Sequence, residues 1–181
     1  MSAGHDRLVE LLKALSYRRM KVTLASGRES EFYVDGKQTT LNAEGAWLVG
    51  NLMFEALDPF VTGIGGLVVG ADPIAAATAA VSFHRGRPVH AFLVRKDAKG
   101  HGTARFVEGR QSLPDGSKVC IVEDTVTTGG SLLKAVERCR AEGLDVVQTL
   151  TIVDREEGGA EAIRAAGLPF RALVRRAELE R

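Results

Sequence analysis

Val119-Cys120-Ile121-Val122-Glu123-Asp124-Thr125-Val126-Thr127-Thr128-Gly129-Gly130-Ser131 runs from four apolar residues through two acids into hydroxyls and glycines. A short apolar run with such punctuation predicts a buried strand, here Lys118 to Val122. From Gly129 to Ala141 the chain carries Leu132, Val136 and Cys139 at helical spacing, which predicts a helix with one buried face. Strand, loop and helix in that order are the repeating unit of a parallel sheet. A helix N-terminus offers unpaired N–H groups and a positive dipole end, both suited to a phosphate. Gly129 and Gly130 let the backbone come close to a ligand, while Thr125, Thr127, Thr128 and Ser131 add hydroxyl donors. No GxxxxGK pattern is present, so the loop is not of the Walker type.

Outward from this unit the alternation continues. His5 to Leu15 places Leu8, Leu11, Leu12 and Leu15 on one helical face, and Lys21–Leu24 and Glu31–Asp35 read as short strands around Ser26-Gly27-Arg28. Asn42 is a suitable N-cap for a helix to about Leu57, which Asp58-Pro59 ends. Strands are predicted at Val61–Ile64, Val89–Val94, Val146–Val153 and Phe170–Val174. Helices are predicted from Pro73 to about Phe83 and over Ala160–Ala166. The pattern predicts an α/β fold with a mainly parallel sheet flanked by helices. It forms a single domain over residues 1–181, with about 1–40 as a small N-terminal hood and 41–181 as the α/β core. Ligands of such sheets lie beyond the carboxyl ends of the strands. The loops to inspect are therefore Gly65–Asp72, Arg95–Arg105, Glu123–Gly130 and Asp154–Gly159.

Composition excludes several alternatives. A chain of 181 residues, 45% hydrophobic and 26% charged, is an ordinary globular domain. Net charge is +1, so no global field favours nucleic acid or a membrane surface. The two cysteines, Cys120 and Cys139, lie in apolar contexts without a CxxC or Cys/His cluster, which predicts two buried thiols and neither zinc nor disulfides. Met1 to Leu15 mixes charges with leucines, unlike a signal peptide, and no run reaches the ~18 apolar residues of a membrane span. A cytoplasmic protein is expected.

Glu123 and Asp124 would repel a phosphate set directly beside them. They are better matched to a neighbouring diol, since a carboxylate accepts from two adjacent ribose hydroxyls and can hold a magnesium ion those hydroxyls ligate. A phosphate cradle beside a diol clamp describes a ribose 5-phosphate. A chance pair of acids at a βα turn is the bland alternative. The thirteen-residue segment resembles the phosphoribosyl-pyrophosphate motif of type I phosphoribosyltransferases. That resemblance implies the family's fold and assigns Glu123, Asp124, Thr125, Val126, Thr127, Thr128, Gly129, Gly130 and Ser131 to the phosphoribosyl donor.

Upstream, Arg95-Lys96-Asp97-Ala98-Lys99-Gly100-His101-Gly102 gathers cations in a chain with little net charge. Read alone it could be a solvated surface loop. Beside the first motif it suits a leaving pyrophosphate, on which negative charge grows as the glycosidic bond breaks, and a closing loop would exclude water. It resembles the Arg-Lys-x-x-Lys-x-His-Gly loop of the orotate phosphoribosyltransferases. This implies that Arg95, Lys96, Lys99 and His101 contact pyrophosphate, with Lys99 foremost and the loop shared across a homodimer. Lys99, His101 and Asp124 are the implied catalytic residues.

Orotate carries a carboxylate, which a guanidinium binds in a two-point fork. Ile152-Val153-Asp154-Arg155-Glu156-Glu157-Gly158-Gly159 resembles that family's Asp-Arg-x-x-Gly-Gly segment, implying that Arg155 pairs with orotate and that Thr127 also touches the base. The alternative is Arg155 paired with a neighbouring acid on the surface. Leu24 to Asp35 resembles the family's Ser-Gly-x-x-Ser segment and the aromatic stretch after it, so the likeness spans Leu24 to Gly159. Three positions depart from it: Ala25 where many members have lysine, Tyr33-Val34 where some have two phenylalanines, and Gly70-Ala71-Asp72-Pro73 where some have Tyr-Lys-Gly. Tyr33 is then the residue left to stack on the base, and Lys37 or Arg28 the cations left to compensate, unless both are surface charge. Asp72 is a candidate to hold magnesium through water.

The implied reaction takes phosphoribosyl pyrophosphate and orotate, with Mg2+ held mainly by substrate and water, to orotidine 5′-monophosphate in pyrimidine biosynthesis. Two other readings compete with it. One is transfer to a different purine or pyrimidine base, against which Arg155 and the cationic loop argue. The other is a non-enzymatic regulator binding nucleic acid, for which no basic face or added segment is present.

Overall fold

The computed structural model describes residues 3–23, 29–97 and 105–181. Helix α1 (Ala3–Leu15) leads into a ribbon of β1 (Tyr17–Thr23) and β2 (Glu29–Val34), then α2 (Gly36–Thr40) and α3 (Ala43–Ala56). The body continues as β3 (Gly63–Leu67), α4 (Ala71–His84), β4 (His90–Val94), β5 (Val107–Glu108) and β6 (Lys118–Val126). It closes with α5 (Gly130–Ala141), β7 (Asp145–Asp154), α6 (Gly159–Ala165), β8 (Phe170–Arg175) and α7 (Arg176–Leu179).

The sheet order is β5-β4-β3-β6-β7-β8, parallel throughout except for the short edge strand β5, and the β1–β2 ribbon is a separate antiparallel sheet. After β3 the chain winds to one side through β4, and from β6 it winds to the other. The winding therefore reverses between β3 and β6, and a crevice opens past their carboxyl ends, where doubly wound sheets bind ligands.

Alternation along β6 accounts for the two layers. Val119 and Ile121 pack with Leu132, Val136 and Cys139 of α5, while Cys120 and Val122 pack with Met53 of α3 and Ile74 of α4. Both faces are covered, so the strand reads as a continuous apolar run. Both thiols are buried, as expected from their surroundings. Among the described residues no helix is long and apolar enough to cross a membrane.

Several boundaries differ from the sequence reading. β6 does not end at Val122: it runs four residues further, because Glu123, Thr125 and Val126 continue the ladder with Thr151, Val153 and Asp154 of β7. β3 begins two residues later than predicted and extends to Leu67, with Gly66 and Leu67 opposite Leu93 and Val94. α4 opens at Ala71, two residues before Pro73, a first-turn position where proline removes no helical hydrogen bond. β1 starts at Tyr17. The elements α2, β5 and α7 are too short to carry a periodic signal. Asn42 caps α3 as expected, its side chain accepting from the Gly45 N–H.

Candidate active site

Glu123 and Asp124 lie in the last turn of the pleat of β6, and the pleat sends them to opposite faces. Glu123 turns to the α5 side, toward Ser131. Burial and the adjacent Asp124 push its carboxyl up to about 7. Asp124 turns to the α2 and α4 side. Its Oδ1 accepts the Thr125 N–H at 2.9 Å, and Lys37 Nζ stands 4.0 Å from its Oδ2. Burial raises its pKa, and the Lys37 charge partly opposes that rise. Two glycines make room for it: a Cβ at Gly36 would sit 2.8 Å from the Asp124 Cβ, and one at Gly70 2.7 Å from Oδ1.

Beyond Val126 the chain turns through Thr127, Thr128 and Gly129 into α5. Gly129 has φ +80°, a left-handed conformation that side chains disfavour, and no side chain caps the helix. The first N–H groups of α5 are thus left to whatever occupies the loop. Thr128, Gly130 and Ser131 are exposed, Thr127 is half-buried, and the buried Thr125 Oγ1 has no partner among the described residues. Open donors around a helix N-terminus suit an anion such as phosphate.

Arg155 follows β7 and is tied to this loop by its N–H, which donates to Val126 O at 3.0 Å. Its side chain is 3% exposed. Glu157 Oε1 accepts from Arg155 Nε at 3.0 Å and Nη2 at 2.9 Å. The guanidinium lies 4.3 Å from the centroid of the Phe32 ring and donates to Phe32 O at 3.4 Å. Gly159 seals the two loops together, since a Cβ there would meet Thr127 O at 2.5 Å. Arg155 does pair with an acid, though inside the protein and not on its surface.

These groups sit side by side at the switch point: two carboxylates, an open hydroxyl-rich loop and a fixed guanidinium. Residues 65–165 match the family model described as "Phosphoribosyl transferase domain". The orotate phosphoribosyltransferase of Sorangium cellulosum is 53% identical over 177 residues, 97% of this chain and 92% of that protein. The chain belongs to the orotate phosphoribosyltransferase family. A solved Mycobacterium tuberculosis member superimposes with a TM-score of 0.84 at 44% identity, covering 97% of this chain and 98% of that one. Another structure of that enzyme, in complex with 5-phospho-α-D-ribosyl 1-diphosphate, aligns with a TM-score of 0.80 at 41% identity over 98% and 99% of the chains. The type I phosphoribosyltransferase fold, with its small N-terminal antiparallel hairpin, is thereby shown.

Against that family frame, the remaining expected site residues divide. Lys99 and His101 lie outside the described residues, as do Ala25 and Arg28. Arg95 and Lys96 are described, at the end of β4, and their carbonyls accept from the Arg138 guanidinium of α5, Lys96 O at 2.7 Å. Glu142, just past α5, accepts the N–H groups of Phe106 and Val107 at 2.6 and 3.0 Å, and Arg138 covers the Phe106 ring at 4.2 Å. Asp72, in the first turn of α4, is pushed up by burial, and its Oδ1 has no partner among the described residues.

Of the β2 aromatics, Phe32, 3% exposed, supplies the ring against Arg155, while Tyr33 is 40% exposed and stands near Lys37. Period-two alternation with the apolar Val34 would have singled out Phe32 in the sequence. Glu157 and Arg138 carried no such signal.

Proposed function

We propose that this chain transfers the ribose 5-phosphate of phosphoribosyl pyrophosphate to orotate, giving orotidine 5′-monophosphate and pyrophosphate. One observation carries the reading: a hydroxyl-rich loop beside two carboxylates adjoins a buried guanidinium, linked to it by the Arg155 N–H to Val126 O bond. The names of the family relatives support the same base. The bond from the anomeric carbon to pyrophosphate breaks, and the bond to the pyrimidine nitrogen forms. No covalent enzyme intermediate is required, so positioning and charge do the catalysis.

In this reading Thr127 to Ser131 hold the 5-phosphate, with Thr125 and the Val126 backbone shaping the pocket. Glu123 and Asp124 accept from the ribose hydroxyls, and Asp124 stabilises positive charge developing on the ribosyl ring. Arg155 forks the orotate carboxylate, Thr127 and an aromatic residue of β2 border the base, and Arg95, Lys96, Lys99 and His101 neutralise the leaving pyrophosphate. Magnesium keeps most of its waters and favours phosphate oxygens, so the ion would be carried mainly by substrate and water. Mg2+, when bound, adds charge neutralisation on pyrophosphate. Glu123 and Asp124 would hold the ribose hydroxyls beside such an ion.

We further propose a cytoplasmic homodimer sharing the basic loop. Trp47 of α3 and Phe83 of α4 stand exposed on two helices packed together, which supports a subunit contact. The test is loss of orotate absorbance near neutral pH with magnesium and phosphoribosyl pyrophosphate. Turnover that chelation abolishes is the expected result. No turnover, or turnover only with a different base, overturns the assignment.

A further inference from the structure

Lys37 stands where the N-terminal unit meets the acids of β6. Asp35 caps α2, accepting the Lys37 N–H at 3.2 Å and Gln38 Nε2 at 3.2 Å, and it holds Lys37 Nζ at 2.6 Å. The helix itself is fixed from beneath. Ser16 and Thr39 share a buried hydroxyl bond of 2.7 Å, and a Cβ at Gly45 of α3 would meet Thr39 O at 2.0 Å. An ammonium on such a mount is pre-positioned, and with 41% of its side chain exposed it keeps donors for a ligand.

The two acids define which part of a ligand it would meet. Glu123 faces Ser131 and the phosphate loop. Asp124 faces the other way, toward Gly36, Gly70 and Lys37. A phosphoribosyl group laid across both acids has its 5-phosphate at Ser131 and its anomeric end toward Gly70 and Lys37. We propose that Lys37 is a further substrate-binding residue, contacting the pyrophosphate of the phosphoribosyl donor beside Asp124. The inference rests on the reading of the site given above. Asp35, Asp124 and Tyr33 are the titratable groups around it, and a dianionic ligand adds a stronger partner than any of them.

The experiment compares wild type, Lys37→Met and Lys37→Arg with three probes in magnesium: phosphoribosyl pyrophosphate, inorganic pyrophosphate and ribose 5-phosphate. Lys37→Met should weaken the first two about tenfold, the effect of losing one charged hydrogen bond. It should leave ribose 5-phosphate binding and the KM for orotate unchanged. Lys37→Arg should recover most of the affinity. Unchanged pyrophosphate affinity in Lys37→Met overturns the inference, and so does equal weakening of ribose 5-phosphate. Should wild type fail to turn over orotate, the functional reading falls, while the binding of pyrophosphate still decides Lys37.

Discussion

Two neighbouring turns, β6 to α5 and β7 to α6, are built on one plan and used in opposite ways. Each enters its helix through a left-handed glycine, Gly129 at φ +80° and Gly158 at φ +92°, and neither helix has a side-chain cap. In the first turn Thr128, Gly130 and Ser131 are exposed and the buried Thr125 hydroxyl has no partner among the described residues. In the second, Asp154 accepts the Glu156 N–H at 2.8 Å, and Glu157 and Phe32 engage the Arg155 guanidinium. The open turn leaves its polar groups for a ligand with many oxygens to satisfy. The closed one uses its own groups to orient a single cation before a ligand arrives, which lowers the entropy lost on binding.

Changing Arg155 tests the closed turn most severely. Arg155→Ala should lower kcat/KM for orotate on the order of 100-fold, corresponding to about 3 kcal/mol for a charged, forked contact. It should also destabilise the fold, since the ion pair between Arg155 and Glu157 is lost. Arg155→Lys keeps the charge and loses the fork; steady-state kinetics showing a wild-type KM for orotate in that variant would sink the pre-orientation argument.

Gly159→Ala breaks the seam between the turns. Its Cβ would lie 2.5 Å from Thr127 O, so backbone must shift, costing about 1–3 kcal/mol. Denaturant unfolding and the KM values of both substrates should change together. A change confined to orotate would mean that the two turns act independently.

Glu157→Gln keeps the shape and removes the charge. The KM for orotate should rise by about tenfold with kcat little altered, as weaker positioning of Arg155 requires. An equal fall in kcat would instead make Glu157 part of the transition-state machinery.

The last test concerns the open turn. Burial and Asp124 raise Glu123 from 4.5 to about 7. A raised folded-state pKa means that its contribution to stability is present in full below about 4.5 and is lost as pH rises through about 7. Glu123→Gln should therefore gain thermal midpoint relative to wild type between pH 5 and pH 8. Parallel pH responses of the two proteins would show that Glu123 is not the titrating group.

Legibility followed the length of the signal. The helix after Asn42 was found with its cap, and the helix from Gly129 with its buried face, because cap chemistry marks the first and helical spacing the second. The end of β6 was misplaced, since a sequence shows acids as a stop, whereas pairing with Thr151 and Val153 carries the strand past them. The packing of Phe32 on Arg155 was not legible, because which face of a ribbon turns inward depends on what it packs against, here a residue over a hundred positions away.

The sequence by itself determined the parallel sheet, the glycine- and hydroxyl-rich loop, the paired acids and the arginine past β7, because each is a local pattern of polarity and backbone freedom. Tertiary structure alone decided that the acids face opposite ways with different partners, that Arg155 is locked by Glu157 and Phe32, and that Lys37 reaches Asp124. Those relations join residues distant in the chain or set by strand register. Contact, burial and orientation arise only when the layers close.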